Sequence, residues 1–83
     1  MADPAANPCI VISGASKGIG AAMAVELERR GFDIVGLSRS GDSAVGEGLV
    51  CDVTDENSVK TVLAKIAETR AIAGLINNAG LHL

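Results

Sequence analysis

The sequence predicts an α/β fold: a partial, doubly wound parallel sheet of about four strands with two main helices. Three observations point there. Short apolar runs alternate with helix-period segments, the pattern of βαβ units around a parallel sheet. The apolar content is mostly Ala, Val, Ile and Leu, with Phe32 the single aromatic residue, and small branched side chains suit a sheet packed between helices. A glycine-rich stretch, Ser13-Gly14-Ala15-Ser16-Lys17-Gly18-Ile19-Gly20, sits between the first apolar run and the first helical one, and that context gives a glycine motif its meaning.

The elements follow in order. The opening MADPAANP has neither the basic n-region nor the apolar h-region of a signal peptide; residues 1–8 are expected to be a flexible lead-in, with one domain following from residue 9. "CIVIS" (Cys9–Ser13) is a β-branched run that stops at glycine, hence a buried strand. From Ile19 the period changes: Ile19, Ala22, Met23 and Leu27 recur at helical spacing, opposite Glu26, Glu28, Arg29 and Arg30. Arg29, Arg30 and Gly31 are stop signals. "DIVGL" (Asp33–Leu37) is the second strand and "LVC" (Leu49–Cys51) a short third. Eleven residues rich in Gly and Ser separate them, near the lower limit for a parallel crossover, so one helix is lost or reduced to a turn. Thr54 offers an N-cap, with Asp55 and Glu56 in the first turn. Val59, Val62, Leu63, Ile66 and Ala67 then mark the second helix, and "AGLIN" (Ala73–Asn77) the last strand.

Bulk properties exclude several functions. With 83 residues there is room for one small domain. A net charge of −3 with no Lys/Arg cluster removes the electrostatic case for nucleic acid, and one aromatic residue leaves no stacking platform. No apolar run approaches the roughly 20 residues that span a bilayer, so the expected setting is cytoplasmic. Cys9 and Cys51 each lie in an apolar run and read as small buried hydrophobes. Together with His82 they are too few, at unrelated spacings, for a metal site.

The glycine stretch has two readings. Gly14-Ala15-Ser16-Lys17-Gly18 fits the G-x-S-x-G of a hydrolase elbow, which would make Ser16 a nucleophile. That reading needs an acid and then a His downstream. His82, next to the last residue, is the only His, and Gly20 is left unexplained. The other reading is a phosphate cradle. A strand-to-helix turn presents free backbone N–H groups, and glycines let a pyrophosphate approach them. Gly20, one turn on, allows the helix to pack closely on the strand. A site for NAD places Asp or Glu at the end of the second strand to bind the ribose 2′-hydroxyl. Ser38-Arg39 stands there instead, and a guanidinium suits a 2′-phosphate. With Lys17 near the same end of the sheet, NADP(H) is favoured over NAD(H). The plainer alternative leaves Lys17 and Arg39 as solvated surface charges.

"SGASKGIG", "LSRS", "CDVTD" and "NNAG", in that order, resemble the N-terminal part of the short-chain dehydrogenase/reductase family, over about Cys9 to Gly80. Ser13 stands where the family pattern has Thr and keeps its hydroxyl. The resemblance implies a partial Rossmann-type sheet in which Gly14, Gly18, Ile19 and Gly20 line the pyrophosphate. It also implies that Lys17 and Arg39 go with NADP(H) and that Asp52 and Val53 contact the adenine. Asn77, Asn78, Ala79 and Gly80 would brace the sheet and flank the adenosine ribose. Asp52 could equally be a turn or capping residue, and Asn77 could satisfy backbone groups at a strand end.

The family's chemistry is hydride transfer between nicotinamide and a carbonyl or alcohol carbon, worked by a Ser, a Tyr and a Lys beyond the NNAG motif. This chain has no Tyr. Residues 9–83 therefore read as the N-terminal half of a dinucleotide-binding domain truncated after that motif, inactive alone, with strand order 3-2-1-4. The last strand would be an uncovered edge, open to self-association or another partner. The alternatives are a stand-alone, non-catalytic nucleotide-binding or partner-binding piece, and a small α/β domain with no ligand.

Overall fold

Cys9–Ser13 forms strand β1, and all five of its residues are buried. The structure, a computed structural model, describes residues 7–78. Helix α1 (Gly18–Arg29) follows, then β2 (Asp33–Ser38), β3 (Glu47–Val50), α2 (Glu56–Ala67) and β4 (Ile72–Asn77). The strands form one sheet in the order β3-β2-β1-β4, and all three pairings are parallel. The expected strand order is therefore observed, and so is the partial Rossmann-type architecture.

Alternation along the central strands divides the core in two. Cys9, Val11, Val35 and Leu37 point to one face, where they meet Cys51 and Ile66 of the α2 layer. Ile10, Ile12 and Ile34 point to the other, against Ala15 and Ala24 of the α1 layer. Each large aliphatic side chain fully buried here, such as Ile12, Ile34 and Leu37, contributes about 1.5–3 kcal/mol. The small core thus rests on two strands whose side chains are used on both sides.

Five details depart from the sequence reading. The buried stripe of α1 is Gly20 and Ala24, with Leu27 packed beside it; Ile19 is 75% exposed and Ala22 is exposed. The helix turns its smallest residues to the sheet because it approaches the Gly14 carbonyl too closely for anything larger. β3 starts two residues earlier than Leu49, since Glu47 already pairs with Val35. Cys51 lies beyond the strand, although its N–H donates to the Ser38 carbonyl (2.8 Å). The N-cap of α2 is Asp55, not Thr54, because Thr54 donates its hydroxyl to Asp52. Ala67, at the end of α2, is exposed.

The segment between β2 and β3 has no helix, as its length implied. It lies across the α1 face instead: the Ala44 N–H donates to the Ala15 carbonyl (3.0 Å), and Val45 packs on the Ile12 cluster. At the other side of the sheet β4 is an open edge, with Leu75 52% exposed. No helix among the described residues is long and apolar enough to cross a membrane.

Candidate functional site

The turn from β1 into α1 is built on backbone conformations that glycine supplies. Gly14 has φ +73° and Gly18 φ +64°, the left-handed region that side chains disfavour. A Cβ on Gly18 would meet open space, so its backbone faces outward unshielded. Gly20 plays a different part. It is buried, and a Cβ there would run into the Gly14 carbonyl and lie 2.6 Å from Asn78 Nδ2. It sets how near α1 comes to the sheet.

α1 begins without a side-chain cap: Lys17 stands at the N-cap position in extended conformation, and the first turn has no acidic residue. The earliest backbone bond into the helix runs from the Ala21 N–H to the Lys17 carbonyl (3.3 Å). The N–H groups ahead of it have no intrahelical partner, as at any helix start, and carry the positive end of the dipole.

The opposite wall comes from the ends of β1 and β4. Ser13 Oγ donates to Asn77 Oδ1 (3.0 Å) and accepts from the Asn78 N–H (2.9 Å). Asn78 Nδ2 in turn donates to the Gly14 carbonyl (3.3 Å). The hydroxyl of Ser13 thus ties the two strand ends together, and Asn78 ties them to the glycine turn. Ala79 and Gly80, also expected at this site, lie outside the described residues, as does His82.

A cavity of 500 Å³ opens between these elements, bordered by Gly14, Ser16, Lys17, Ser38, Arg39 and Val53, with Leu37, Ser40, Cys51 and Thr54 completing it. A smaller one of 280 Å³ continues toward β4, bordered by Ser13, Leu75 and Asn77 and sharing Leu37, Val53 and Thr54 with the first. Of the residues expected from the sequence, Ser13, Gly14, Ser16, Lys17, Ser38, Arg39, Val53 and Asn77 border these cavities, whereas Gly18, Ile19, Gly20, Asp52 and Asn78 border neither. Ser16 is an exposed turn residue. Leu37, Ser40, Cys51 and Thr54 were not among the expected site residues; they lie inside the LSRS and CDVTD stretches, and that is the sequence signal that could have found them.

The electrostatics of the cavity are one-sided. Arg29, Arg30, Lys60 and Arg70 are each paired with a glutamate; Lys17, Arg39 and Lys65 make no ion pair among the described residues, and of these three Lys17 and Arg39 border the cavity. Ser38 Oγ donates to the Asp42 carbonyl (3.1 Å). Asp52 Oδ1 accepts from both the N–H and the hydroxyl of Thr54. Those two bonds, and then the nearby Arg39 charge, hold the Asp52 carboxyl below the ordinary aspartate value. Burial pushes the Cys9 thiol up, on the far side of the sheet ends from this cavity. These features fit a dinucleotide phosphate: an uncapped helix start, an unshielded glycine backbone, and two unpaired cations on one cavity.

Comparison with known proteins gives a consistent result. A family model described as short chain dehydrogenase matches residues 8–83. The 3-oxoacyl-(acyl-carrier-protein) reductase FabG of Escherichia coli is 41% identical over 81 residues, covering 86% of this chain and 33% of that protein. The FabG of Vibrio harveyi is 40% identical over 81 residues, with the same coverage of 86% and 33%. An NADPH-dependent pterin aldehyde reductase of Arabidopsis thaliana is 32% identical over 83 residues, covering 86% of this chain and 34% of that protein. The chain thus spans about a third of the length of the curated relatives it matches.

Proposed function

Since the chain belongs to the short-chain dehydrogenase family, we propose that residues 9–83 are the NADP(H)-holding, N-terminal portion of an oxidoreductase of that family. The observation that carries this reading is the placement of Lys17 and Arg39. Both border the cavity that opens at the uncapped start of α1, and neither forms an ion pair among the described residues where the other arginines do, although the Arg39 charge reaches the Asp52 carboxyl. A guanidinium just after β2 and an ammonium at the start of α1, on one cavity, suit a 2′-phosphate and offer nothing to a free 2′-hydroxyl that needs an acceptor. One relative carries NADPH dependence in its name, which supports the same preference.

In this reading Gly14, Gly18 and Ile19 face the pyrophosphate, and Gly20 sets the helix that receives it. Asp52 and Val53 meet the adenine, Ser38 and Arg39 the phosphorylated ribose. Ser13, Asn77 and Asn78, continuing into Ala79 and Gly80, hold the floor of the site. Bound nicotinamide supplies hydride chemistry toward a carbonyl or alcohol carbon. The chain has no tyrosine to serve as the family's proton donor, so this stretch by itself binds without turnover. Cys9 and Cys51 are free thiols, in keeping with a reducing, cytoplasmic setting.

The test is a fluorescence titration of the chain with NADPH and with NADH. Saturable binding, tighter for NADPH, is the expected result, and Arg39→Asp should move the preference toward NADH. Equal affinity for the two would remove the assignment of Lys17 and Arg39. The exposed edge of β4, with Ile72 and Leu75 open to solvent, favours a second reading as a partner-binding piece. Concentration-dependent size in sedimentation, with no nucleotide binding, would select it.

A further inference from the structure

Asp52 precedes α2 between Cys51 and Val53, both of which border the 500 Å³ cavity, yet its carboxylate is fully exposed and on a short loop. A carboxylate so placed turns freely unless something fixes it. Thr54 does so twice: its N–H and its hydroxyl donate to Oδ1 at 3.0 and 2.6 Å. The Asp52 main chain is held as well, its N–H donating to Ser58 Oγ (3.3 Å). With Oδ1 occupied, Oδ2 is the oxygen left to accept, since no bond to it exists among the described residues. Thr54 also borders both cavities, so its lock sits where the two join. The helix cap does not require this arrangement, because Asp55 performs that role on its own.

We propose that Thr54 is a positioning residue for base selection: by fixing one Asp52 oxygen it leaves the other as a single, directed acceptor for the exocyclic amino group of adenine. The inference rests on the nucleotide-site reading above. Adenine offers an amino donor, whereas hypoxanthine carries a carbonyl there and a ring N–H beside it. A carboxylate free to turn can follow either donor, and a fixed one cannot. Thr54 therefore acts on selectivity between bases more than on affinity for the phosphates.

The experiment measures dissociation constants for NADPH and for its hypoxanthine analogue, by fluorescence or calorimetry. The native chain should prefer NADPH by about tenfold, the scale of one hydrogen bond to a charged acceptor. Thr54→Val should reduce that preference to about threefold or less, and Thr54→Ser, which keeps both donors, should restore it. Asp55→Ala controls for a merely structural effect: it loosens the helix start without touching Oδ1 and should leave the ratio unchanged. If Thr54→Val does not fold, Thr54→Ala is read in its place. A native-like ratio in the hydroxyl-deleted variant overturns the role of Thr54 while leaving the nucleotide site intact. Absence of saturable binding of either nucleotide to the native chain overturns the site itself, and this inference with it.

Discussion

The two helices begin in opposite ways. Both have 12 residues and both run back across the sheet after a strand. α2 is closed by its own side chains: Asp55 accepts from the Asn57 and Ser58 N–H groups (3.0 and 3.4 Å). Glu56 adds a negative charge in the first turn and pairs with Lys60 at 3.1 Å. α1 has a lysine at the same position, no side-chain cap and no acid in its first turn. A missing cap costs about 1 kcal/mol, and a chain with so small a core has little stability to spare. The difference separates a helix start shaped for folding from one left available to an anion from outside.

The contrast can be broken most severely at Gly20. Its missing Cβ is what lets α1 lie on the Gly14 carbonyl, with Asn78 on the other flank. Gly20→Val should lower stability to urea by about 3 kcal/mol, the upper range for forced overpacking, and abolish nucleotide binding with it. A variant unfolding at the native midpoint would mean that α1 is not held by this contact. Asp55→Ala tests the closed helix start. It should cost about 1 kcal/mol in the same urea measurement, while NADPH affinity stays within about twofold, because Asn57 and Ser58, whose N–H groups it frees, border neither cavity.

Grafting one helix start onto the other sharpens the comparison further. Lys17 is extended, with φ −158° and ψ 170°, the conformation an N-cap aspartate adopts. Lys17→Asp should therefore stabilise the chain by about 0.5–1 kcal/mol, seen as a raised unfolding midpoint. NADPH should bind at least about tenfold more weakly, since a cation is replaced by an anion at a phosphate. A variant that gains stability and keeps its affinity would show that the open helix start serves no ligand.

How far the sequence could be read follows the same division. β1 and the strand order were legible because branched runs and a glycine turn carry strong local signals. The face of α1 was not. Periodicity weights Ile19 and Ala22, whereas burial went to Gly20 and Ala24, chosen by closeness of backbone approach and not by hydrophobicity. β3 was placed two residues late because Glu47 and Gly48 are poor strand formers on their own and join β3 through pairing with Val35 and Gly36. The α2 cap was displaced by one residue because two adjacent candidates compete, and only the fold shows that Asp52 has already taken Thr54. Lys17, Arg39, Ser13 and Asn77 were placed at one end of the sheet by their positions after strands, which parallel topology makes dependable. Ser40 and Thr54 lay inside the LSRS and CDVTD stretches, but neither ends a strand, so loop geometry had to show that they reach the cavity.

The smallest expected effect concerns acid. The Thr54 bonds, more than the Arg39 charge, hold the Asp52 carboxyl below its ordinary value. A carboxyl whose folded pKa is depressed adds stability above its unfolded pKa, about 3.9 for aspartate, and loses it as pH falls through the folded value. The approach to α2 should therefore weaken on acidification below about pH 4, whereas the start of α1, which has no acidic residue in its first turn, has no such carboxylate to lose. Because Asp52 is fully exposed, solvent screens the effect and the change is small. Urea midpoints compared at pH 6 and pH 3 provide the check: native chain should lose more than Thr54→Val, in which the two-bond acceptor at Asp52 has lost one of its donors. An equal loss in both would detach the titration of Asp52 from Thr54, leaving Arg39 as the group that governs it.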